Sequence, residues 1–443
     1  MTDHPNPDTR NVGRDRCVDA EPVQIDMADP HSPFRVDIYA AYAELRSRGP
    51  VLPVAFGSTT NGDEPQSCCG RKAFMVMHYA EGMATLLDDR FSSDPSVALA
   101  EGQGATSPPG SDEAPPLCKS LITADPPTHT RLRKLVQRSF TGRAMETLRP
   151  RIQAIADDLV RDAERQAAER GEHAPDRQMD LVETFASPLS ETVIWQMLGI
   201  PEEDRQTIHP WTKSLLAPSG PQMPEETRTD LRQFIAYLLE LFARRRRRPT
   251  NDMISQLVRA EAEGDRLEEE ELLSMVFLLF IAGHVTTMNL IANGVLALLT
   301  HPDQLAKVIA DPTRANGVVE ETLRYWGPVD NVARIAKQDV ELAGTMIRRG
   351  ELVMVGLASA DRDPTRFAHP DRFDITRADA GRHIAFGKGM HLCLGAPLAR
   401  LEGQIAFTTL LRRYPQLRLA VPAHELTWRA DFLHGVERLP VLF

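Results

Sequence analysis

The most constraining feature of the chain is the stretch from residue 272 to residue 300, which contains no Asp, Glu, Lys or Arg. About 20 apolar residues are enough to cross a lipid bilayer. This stretch, however, also carries polar side chains on several faces, among them Ser274, His284, Asn289 and Asn293. Because such groups are costly in lipid, the stretch predicts a helix buried on most sides in the core of a large soluble protein.

Composition narrows the class of protein. The chain has 443 residues, of which 42% are hydrophobic, so it can bury such a helix in a large core. Acidic residues number 62 and basic ones 51, and the net charge of −11 argues against a nucleic-acid-binding surface. An odd set of five cysteines without a CxxC pair predicts neither a disulfide framework nor a structural zinc site.

The N-terminal residues lack the apolar segment of a secretory signal and are rich in polar side chains. We therefore expect a flexible tail at 1–24 and a single domain at 25–443. The protein is expected to be cytoplasmic, with no membrane and no nucleic-acid partner, and a monomer is the default expectation.

Hydrophobic spacing predicts the fold class. Between residues 147 and 299 apolar residues recur mostly at helical spacing, while short strand-like runs occur near 73–77 and 352–355. The pattern predicts a mainly α fold with a small β portion, in the α+β class. Two segments dense in Gly, Pro, Ser and acids, 57–72 and 100–116, are predicted loops, and the second is long enough to be a lid or an insertion.

The decapeptide FGKGMHLCLG at residues 386–395 carries the most chemical information. Gly387 and Gly389 permit turns that other residues resist, and a long amphipathic helix follows from Ala396. Cys393 therefore lies at a helix N-terminus, where backbone N–H groups and the helix dipole stabilise a thiolate. Such a thiolate suits one axial bond to a soft metal, whereas a lone cysteine is commonly a buried structural residue. Spacing alone leaves both interpretations open.

This decapeptide resembles the haem-binding loop of the cytochrome P450 family, FGxGxHxCxG, at every fixed position. Other segments resemble family signatures in the expected order: DPPTHTRLR at 125–133 the start of the C helix, AGHVTT at 282–287 the oxygen-binding part of the I helix, and ETLR at 321–324 the ExxR pair. The resemblance covers roughly residues 30–443 and is closest to soluble bacterial members of actinobacterial secondary metabolism. It implies the cytochrome P450 fold, with haem b (iron protoporphyrin IX) between the central I helix and the proximal L helix.

The resemblance also implies roles for single residues. Cys393 would be the proximal iron ligand, with Phe386 packed beside the haem and Gly395 in the same loop. Two propionates in a protein interior need cations and hydrogen-bond donors. The residues implied to contact them are His129, Arg133, Arg334 and His391.

Glu321 and Arg324 share one face of a predicted helix, as any ordinary ion pair would. By resemblance they form a triad with Arg372, which lies in HPDRF at 369–373. The implied role of this triad is to stabilise the fold, and none of its members is expected to be catalytic.

The oxygen-binding segment implies the catalytic set Ala282, Gly283, Val285 and Thr286. Ala282, Gly283 and Thr286 share a helix face, where small side chains leave room above a haem. The Thr286 hydroxyl can turn onto the Ala282 carbonyl, which bends a helix and opens a groove. An AGxxT run is equally typical of close helix packing, so this alternative stays open.

The chain departs from the family at Val285, where an acid usually precedes the threonine. That acid relays protons, and proton transfer by a positioned group is worth about 10²–10⁴-fold in rate. Protons could instead come through water and Thr286, or from a polar group of the substrate. His284 points about 100° away on the helix and is a poor substitute. Alternatively, the reaction needs less help with cleavage of the O–O bond, as when peroxide is the oxidant.

Three functions follow from the resemblance. The first is a monooxygenase that takes O2 and electrons from a ferredoxin and its ferredoxin reductase and hydroxylates or epoxidises a small-molecule substrate. The second is oxidative coupling or ring closure without oxygen insertion. The third, a non-catalytic helper protein, is disfavoured by Cys393. A basic patch that includes Lys388 and Arg400 would steer an acidic ferredoxin, although such residues also form ordinary solvated helix faces.

The substrate pocket is expected to draw on the loop 97–122, the central helix and two later segments, 329–332 and 432–436. The predicted lining residues are Leu279, Val329, Asp330, Asn331, Val332, Leu433 and His434. This mostly apolar mixture with a few polar anchors suits a medium-to-large natural product such as a polyketide, a macrolide or a peptide. Asp330 and Asn331 equally suit a polar turn after Gly327 and Pro328.

Overall fold

The computed structural model of the protein describes residues 21–26, 29, 31–56, 73–99, 120–173, 176–216, 223–259, 261–262, 265–429 and 433–443. The predicted loops 57–72 and 100–116, and residues 1–20 of the predicted tail, lie outside these ranges. Val23 and Gln24, which the sequence analysis places in the tail, pair with Val54 and Ala55 in a parallel ladder.

Helices make up most of the described residues, which confirms the mainly α prediction. In chain order the helices are α1 (Pro33–Val36), α2 (Ile38–Arg48), α3 (Tyr79–Leu87), α4 (Thr128–Val136), α5 (Gly142–Glu169), α6 (Ser187–Leu198), α7 (Arg205–Leu216), α8 (Glu225–Arg247), α9 (Met253–Arg259), α10 (Glu269–Thr300), α11 (Pro302–Ala310), α12 (Ala315–Tyr325), α13 (Leu357–Ala360) and α14 (Ala396–Arg413).

The β portion is small, as expected for an α+β protein. Its strands are β1 (Val23–Ile25), β2 (Val51–Phe56), β3 (Ala73–Val76), β4 (Phe91–Ser92), β5 (Gln178–Asp180), β6 (Glu261–Ala262), β7 (Asp265–Arg266), β8 (Asn331–Ala336), β9 (Val340–Leu342), β10 (Thr345–Ile347), β11 (Leu352–Gly356), β12 (Arg418–Leu419) and β13 (Pro440–Leu442). The largest sheet has the order β1-β2-β3-β11-β8-β4. Only β1 with β2 and β3 with β11 pair in parallel within it.

Helix α10 is the centre of the main core, and it contains the charge-free stretch. Three glutamates, 269–271, form its first turn, where negative charge suits the positive end of the helix dipole. Among the described residues it is the one helix long and apolar enough to cross a membrane, but 72% of its apolar window is buried inside the protein. This burial agrees with the prediction of a core helix.

The polar side chains of α10 are satisfied partly by protein carbonyls. The Asn293 amide nitrogen donates to the carbonyls of Trp326 and His434, at 3.0 Å each. These bonds tie α10 to the segment after α12 and to the C-terminal loop. Asn293, which would be expensive in lipid, is therefore a cross-link in the protein interior.

Helices α10 and α14 are in tight contact where Gly294 lies against the ring of Phe407. A Cβ atom at Gly294 would be 2.3 Å from Cζ of Phe407, so no larger residue fits without movement. Nearer the N-terminal ends of the two helices, Ala282 of α10 and Cys393, which precedes α14, are both exposed. The protein itself therefore leaves both of these residues uncovered.

Candidate active site

The loop before α14 is shaped by two glycines with positive φ. Gly387 has φ of 69° and Gly389 has φ of 71°, a region that favours glycine. A Cβ atom at Gly389 would also be 2.5 Å from the Leu86 carbonyl oxygen, so the loop needs glycine there for space as well. The Cys393 N–H donates to the Phe386 carbonyl at 2.9 Å and closes the loop. This arrangement presents Cys393 at the start of α14.

The Cys393 thiol opens into a recess of about 590 Å³ that Arg133 and Arg400 also line. Burial of the sulfur dominates and raises the pKa of this thiol, although the backbone N–H groups of Gly395 and Ala396 and the two guanidinium groups lower it. The favourable groups act on the thiolate form, so the loop supplies the donors that a metal-bound thiolate needs. Cys393 therefore has the surroundings of a ligand as well as the exposure of one.

The central helix carries the predicted groove. The Thr286 hydroxyl donates to the Ala282 carbonyl at 2.6 Å, which confirms the predicted contact between them. Ala282 is exposed although the helix on either side of it is largely buried. These two residues therefore line an opening on α10 that is free of bulky side chains.

Gly283 and His284 belong to a different face of α10. A Cβ atom at Gly283 would be 3.0 Å from Cδ1 of Ile194, so this glycine permits close packing of α10 on α6. This contact favours the alternative of close helix packing at Gly283, and a role of this glycine above a haem stays a prediction. His284 Nε2 lies 3.0 Å from the Ser187 hydroxyl, and burial lowers the pKa of His284 to about 4. Both residues face α6, and Val285 beside them is buried.

Four basic side chains meet beside the cysteine loop, and we call them the basic cluster. Its members are His129, Arg133, Arg334 and His391. The rings of His129 and His391 lie 4.4 Å apart between centroids. Burial, followed by the neighbouring positive charges, lowers the pKa of His391 to about 3. Burial also lowers the pKa of both arginines and of His129.

The basic cluster has no counter-charge of its own. No acidic side chain of the described residues forms an ion pair with Arg133 or Arg334, and the charge of Asp125 offsets only part of the effect of burial on the pKa of His129, Arg334 and His391. The Nε2 atoms of both histidines are buried without a hydrogen-bond partner among the described residues. Buried cations and donors in this state call for an anion. The cluster thus fits the carboxylates of a haem, as the resemblance implies.

The predicted triad exists with one member exchanged. Glu321 accepts two bonds from Arg324, each 2.8 Å long, and neither side chain is exposed. The third member is Arg377, whose Nε lies 3.2 Å from the Glu321 carboxylate. Arg372 is exposed and contributes only its backbone carbonyl, which accepts from both arginines. Burial of Phe373 turns the adjacent Arg372 side chain towards solvent.

The polar residues of the predicted pocket interact with the protein itself. The Asn331 amide donates to the Tyr42 hydroxyl at 2.9 Å. The His434 ring stacks on Trp428 with 4.4 Å between centroids, and burial lowers the pKa of His434 to about 3. Asp330 is 4% exposed. The Asn331 contact joins the start of β8 to a distant part of the chain, so it does not indicate a local polar turn. A role of these residues in substrate binding stays a prediction.

The apolar pocket candidates have mixed positions. Val329 and Leu433 form an isolated β-bridge, so the two predicted segments are neighbours. Leu279 is buried in the main core, whereas Val332 is partly exposed on β8. Most of the predicted lining loop, 100–119, and residue 432 lie outside the described residues.

Two charged residues of this region were not anticipated from the sequence. Arg377 completes the triad, and Glu320, the neighbour of Glu321, pairs with Arg400. The sequence offers only weak signals for either: a further arginine after a turn, and a second glutamate in a helix that already contains one. Spatial neighbours more than 50 residues apart leave no local pattern.

The chain is similar to known proteins over nearly its whole length. The family model of cytochrome P450 matches residues 102–420. The cytochrome P450 monooxygenase PikC of Streptomyces venezuelae is 44% identical over 425 residues, which cover 95% of this chain and 95% of PikC.

Solved structures have the same fold. The cytochrome P450 PksS of the bacillaene polyketide synthase of Bacillus subtilis 168 matches with a TM-score of 0.82 and 37% identity, covering 94% of this chain and 99% of PksS. CxnD, a cytochrome P450 enzyme for C–S bond formation in chuangxinmycin biosynthesis, matches with a TM-score of 0.79 and 35% identity, covering 95% and 97%. Together with the cysteine loop, these similarities establish that the chain belongs to the cytochrome P450 family.

Proposed function

We propose that the protein is a haem-thiolate monooxygenase in which Cys393 is the ligand and a medium-to-large natural product is hydroxylated or epoxidised. Enzymes of the family bind haem b through a thiolate. Bound haem supplies the chemistry of O2 activation with two electrons and the insertion of one oxygen atom into an organic substrate. One observation carries the proposal: an exposed Cys393 precedes α14, and the helix that α14 crosses has an exposed, small-residue opening.

The basic cluster would bind the two propionates. Arg133 and Arg334 offer charge, and the unpartnered Nε2 atoms of His129 and His391 offer two further donors or acceptors. Charge-assisted bonds of this kind are about twice as strong as neutral ones. The same anion would relieve the repulsion among the four side chains, so haem binding and cluster stability are coupled.

Thr286 would orient the water molecule or substrate group that delivers protons. Its hydroxyl donates to the Ala282 carbonyl, so its oxygen lone pairs are free to accept from a water molecule. Val285 is buried and has no proton to give, and His284 faces α6 instead. Proton delivery therefore relies on water or on the substrate, with Thr286 orienting the last donor.

The recess beside Cys393 would receive the electron donor. Its lining includes Arg133, Arg138, Lys388 and Arg400, and no acidic residue is among the residues that line it. Such a surface attracts an acidic ferredoxin despite the net charge of −11. We propose a ferredoxin and a ferredoxin reductase as donors, in the cytoplasm.

The substrate class is supported by the relatives. PikC is named as a monooxygenase and PksS as part of polyketide biosynthesis, and the predicted pocket is mostly apolar. We therefore expect a polyketide-like, macrolide or peptide-like scaffold.

An optical titration of the ferric protein with a natural-product library tests this proposal. A saturable change from the low-spin to the high-spin absorption identifies the scaffold, and turnover with a ferredoxin system should then give a product heavier by one oxygen atom. A Cys393→Ser protein should lose the thiolate-type spectrum of the reduced carbon monoxide complex. A thiolate-type spectrum that survives this substitution would exclude Cys393 as the ligand.

A second candidate function is oxidative coupling without oxygen insertion. It is favoured by Val285 in place of the usual acid and by the similarity to CxnD, an enzyme for C–S bond formation. Product mass separates the two functions, since coupling removes two hydrogens whereas oxygenation adds one oxygen.

The residue at 285 should influence the outcome of turnover more than haem binding. We expect Val285→Glu to change the fraction of electrons recovered in product, or the product itself, because a carboxylate can relay protons and valine cannot. Val285→Gln is the matched control, since it has similar size without a titratable group. Equal coupling and equal products in all three proteins would show that position 285 does not shape the chemistry.

A further inference from the structure

Glu320 and Glu321 are adjacent on α12 but enter different networks. Glu321 belongs to the buried triad, whereas Glu320 accepts from Nε and Nη2 of Arg400, at 2.6 and 3.0 Å. His383 Nε2 also lies 3.2 Å from the Glu320 carboxylate. This second network joins α12, α14 and the residues that lead into the cysteine loop.

The tautomer of His383 follows from its neighbours. The backbone N–H of Ala385 donates to His383 Nδ1 at 3.1 Å, so Nδ1 carries no proton. Nε2 therefore faces the Glu320 carboxylate as the donor. Arg400 is the guanidinium in direct contact with this carboxylate.

Glu320 is ionised under ordinary conditions although it is largely buried. Burial alone would raise its pKa, but the hydrogen bonds from His383 and Arg400 and the charge of Arg400 lower the pKa to about 2. The pair of Glu320 and Arg400 is consequently close to neutral as a unit. Its two charges, however, lie at different distances from the cysteine loop.

Arg400 is the member of the pair that faces the loop. Its guanidinium carbon lies 4.7 Å from the ring centroid of Phe386, a stacked cation–π contact. Arg400 also lines the recess that Cys393 lines. Glu320 does not line this recess. The positive charge of Arg400 therefore acts at the Cys393 sulfur. Glu320 lies outside the recess, and its negative charge offsets part of the charge of Arg400.

We propose that Glu320 is a positioning residue that holds Arg400 over Phe386 and balances its charge at Cys393, and that this balance sets the reduction potential of the bound haem. The inference rests on the proposed function, because it requires Cys393 to be the ligand. Its physical basis is that charge near a metal-bound sulfur changes the relative stability of the oxidised and reduced states.

Glu320→Gln tests the inference, because it removes the negative charge and keeps the shape. The freed charge of Arg400 should stabilise the reduced, more negative state, so the midpoint potential of the substrate-free protein should shift in the positive direction. The double variant Glu320→Gln/Arg400→Gln removes both charges and should return the potential towards that of the unmodified protein. A merely structural role predicts no such return, because the double variant loses every bond of the pair.

Helix α14 offers a matched control. Arg413 near its C-terminal end forms an equivalent two-bond pair with Glu164, at 2.6 and 2.8 Å. Glu164→Gln thus frees one arginine charge on the same helix, far from the loop, and should leave the potential unchanged. An unchanged potential in Glu320→Gln, an equal shift in Glu164→Gln, or a double variant displaced as far as the single one would each overturn the inference.

The spectrum separates this inference from the proposed function. All variants should retain the thiolate-type absorption of the reduced carbon monoxide complex. If the unmodified protein lacks that absorption, the proposed function fails and the inference falls with it. If the absorption is present and the potential does not respond to Glu320, the inference alone is wrong.

Discussion

The buried triad and the basic cluster both contain arginines, fully buried at Arg324 and half-buried at Arg133 and Arg334, but only the triad pairs its arginines with a carboxylate. In the triad, Arg324 and Arg377 share the carboxylate of Glu321, and their remaining donors bind backbone carbonyls. In the basic cluster, Arg133 and Arg334 have no ion pair with any described residue. Burial and the neighbouring positive charges lower the pKa of its two histidines.

The difference separates charges that serve the fold from charges that await a ligand. A buried ion pair contributes little net stability, but removal of one partner is strongly destabilising, since a charge is left alone. The basic cluster is already in that unpaired state in the chain by itself. Removal of a charged side chain should therefore destabilise the fold in the triad but not in the basic cluster. The following four predictions examine that contrast.

The largest effect is expected for Glu321→Gln. This change leaves Arg324 buried with no carboxylate, and we expect a loss of about 3–5 kcal/mol in the free energy of unfolding. Urea unfolding of the haem-free and haem-bound proteins measures it. A loss below about 1 kcal/mol, the usual value for an exposed pair, would mean that the triad does not support the fold.

A smaller loss is expected for Arg377→Ala. Its guanidinium bonds Glu321 and the carbonyls of Ala368, His369 and Arg372, and the loss of such bonds costs about 2–3 kcal/mol. Arg372→Ala is the matched control, because that side chain is exposed, and it should stay within about 0.5 kcal/mol. If the control is the more damaging of the two, the sequence-based assignment of Arg372 to the triad is right after all.

In the basic cluster, Arg334→Gln should weaken haem binding without weakening the haem-free protein. One charge-assisted bond is worth about 1.5–3 kcal/mol, so haem should transfer to apomyoglobin about 10–100-fold faster. The free energy of unfolding without haem should stay equal or rise, because a half-buried charge without an ion-pair partner among the described residues disappears. Arg138→Gln, on the recess but outside the cluster, should change neither quantity. Destabilisation of the haem-free protein by Arg334→Gln would contradict the contrast.

The smallest effect concerns pH. His391 has a pKa of about 3 in the folded chain, against about 6.5 when unfolded. The unfolded state therefore binds the proton first, and stability of the haem-free protein falls as pH drops below about 6.5, by at most about 1.4 kcal/mol per pH unit for this group.

Bound propionates should reduce this dependence, because a nearby anion favours the charged histidine. Thermal unfolding between pH 7 and pH 5, with and without haem, provides the comparison. His391→Gln should diminish the difference between the two slopes. His284→Gln should not, because His284 faces α6, away from the cluster. An identical pH dependence with and without haem would show that no anion reaches His391.

The elements with strong local signals were predictable from the sequence. The charge-free stretch 272–300 predicted the buried helix α10. The glycines near Cys393 predicted the turns of the loop at 386–395, and Gly387 and Gly389 have positive φ there. The Thr286 bond to Ala282 also followed from helix geometry. These features depend on residues within one or two turns of each other.

The sequence could not predict what long-range packing decides. Nothing near Arg372 indicates that burial of Phe373 turns it outwards and leaves the triad position to Arg377. Gly283 fits a groove and a helix contact equally well until Ile194 is placed beside it. Sequence spacing gives the face of a helix, but it does not identify what lies against that face.

The crossing of α10 and α14 has a mechanical consequence. Gly294 packs against the Phe407 ring with no room for an added Cβ atom, so a change in the crossing angle would turn the two helices about this contact. Ala282 lies about 18 Å along α10 from the contact, at 1.5 Å of rise per residue. A change of one degree in the crossing angle therefore moves the helix at Ala282 by about 0.3 Å. Changes in helix packing that contact neither cofactor nor substrate can thus change the position of Ala282.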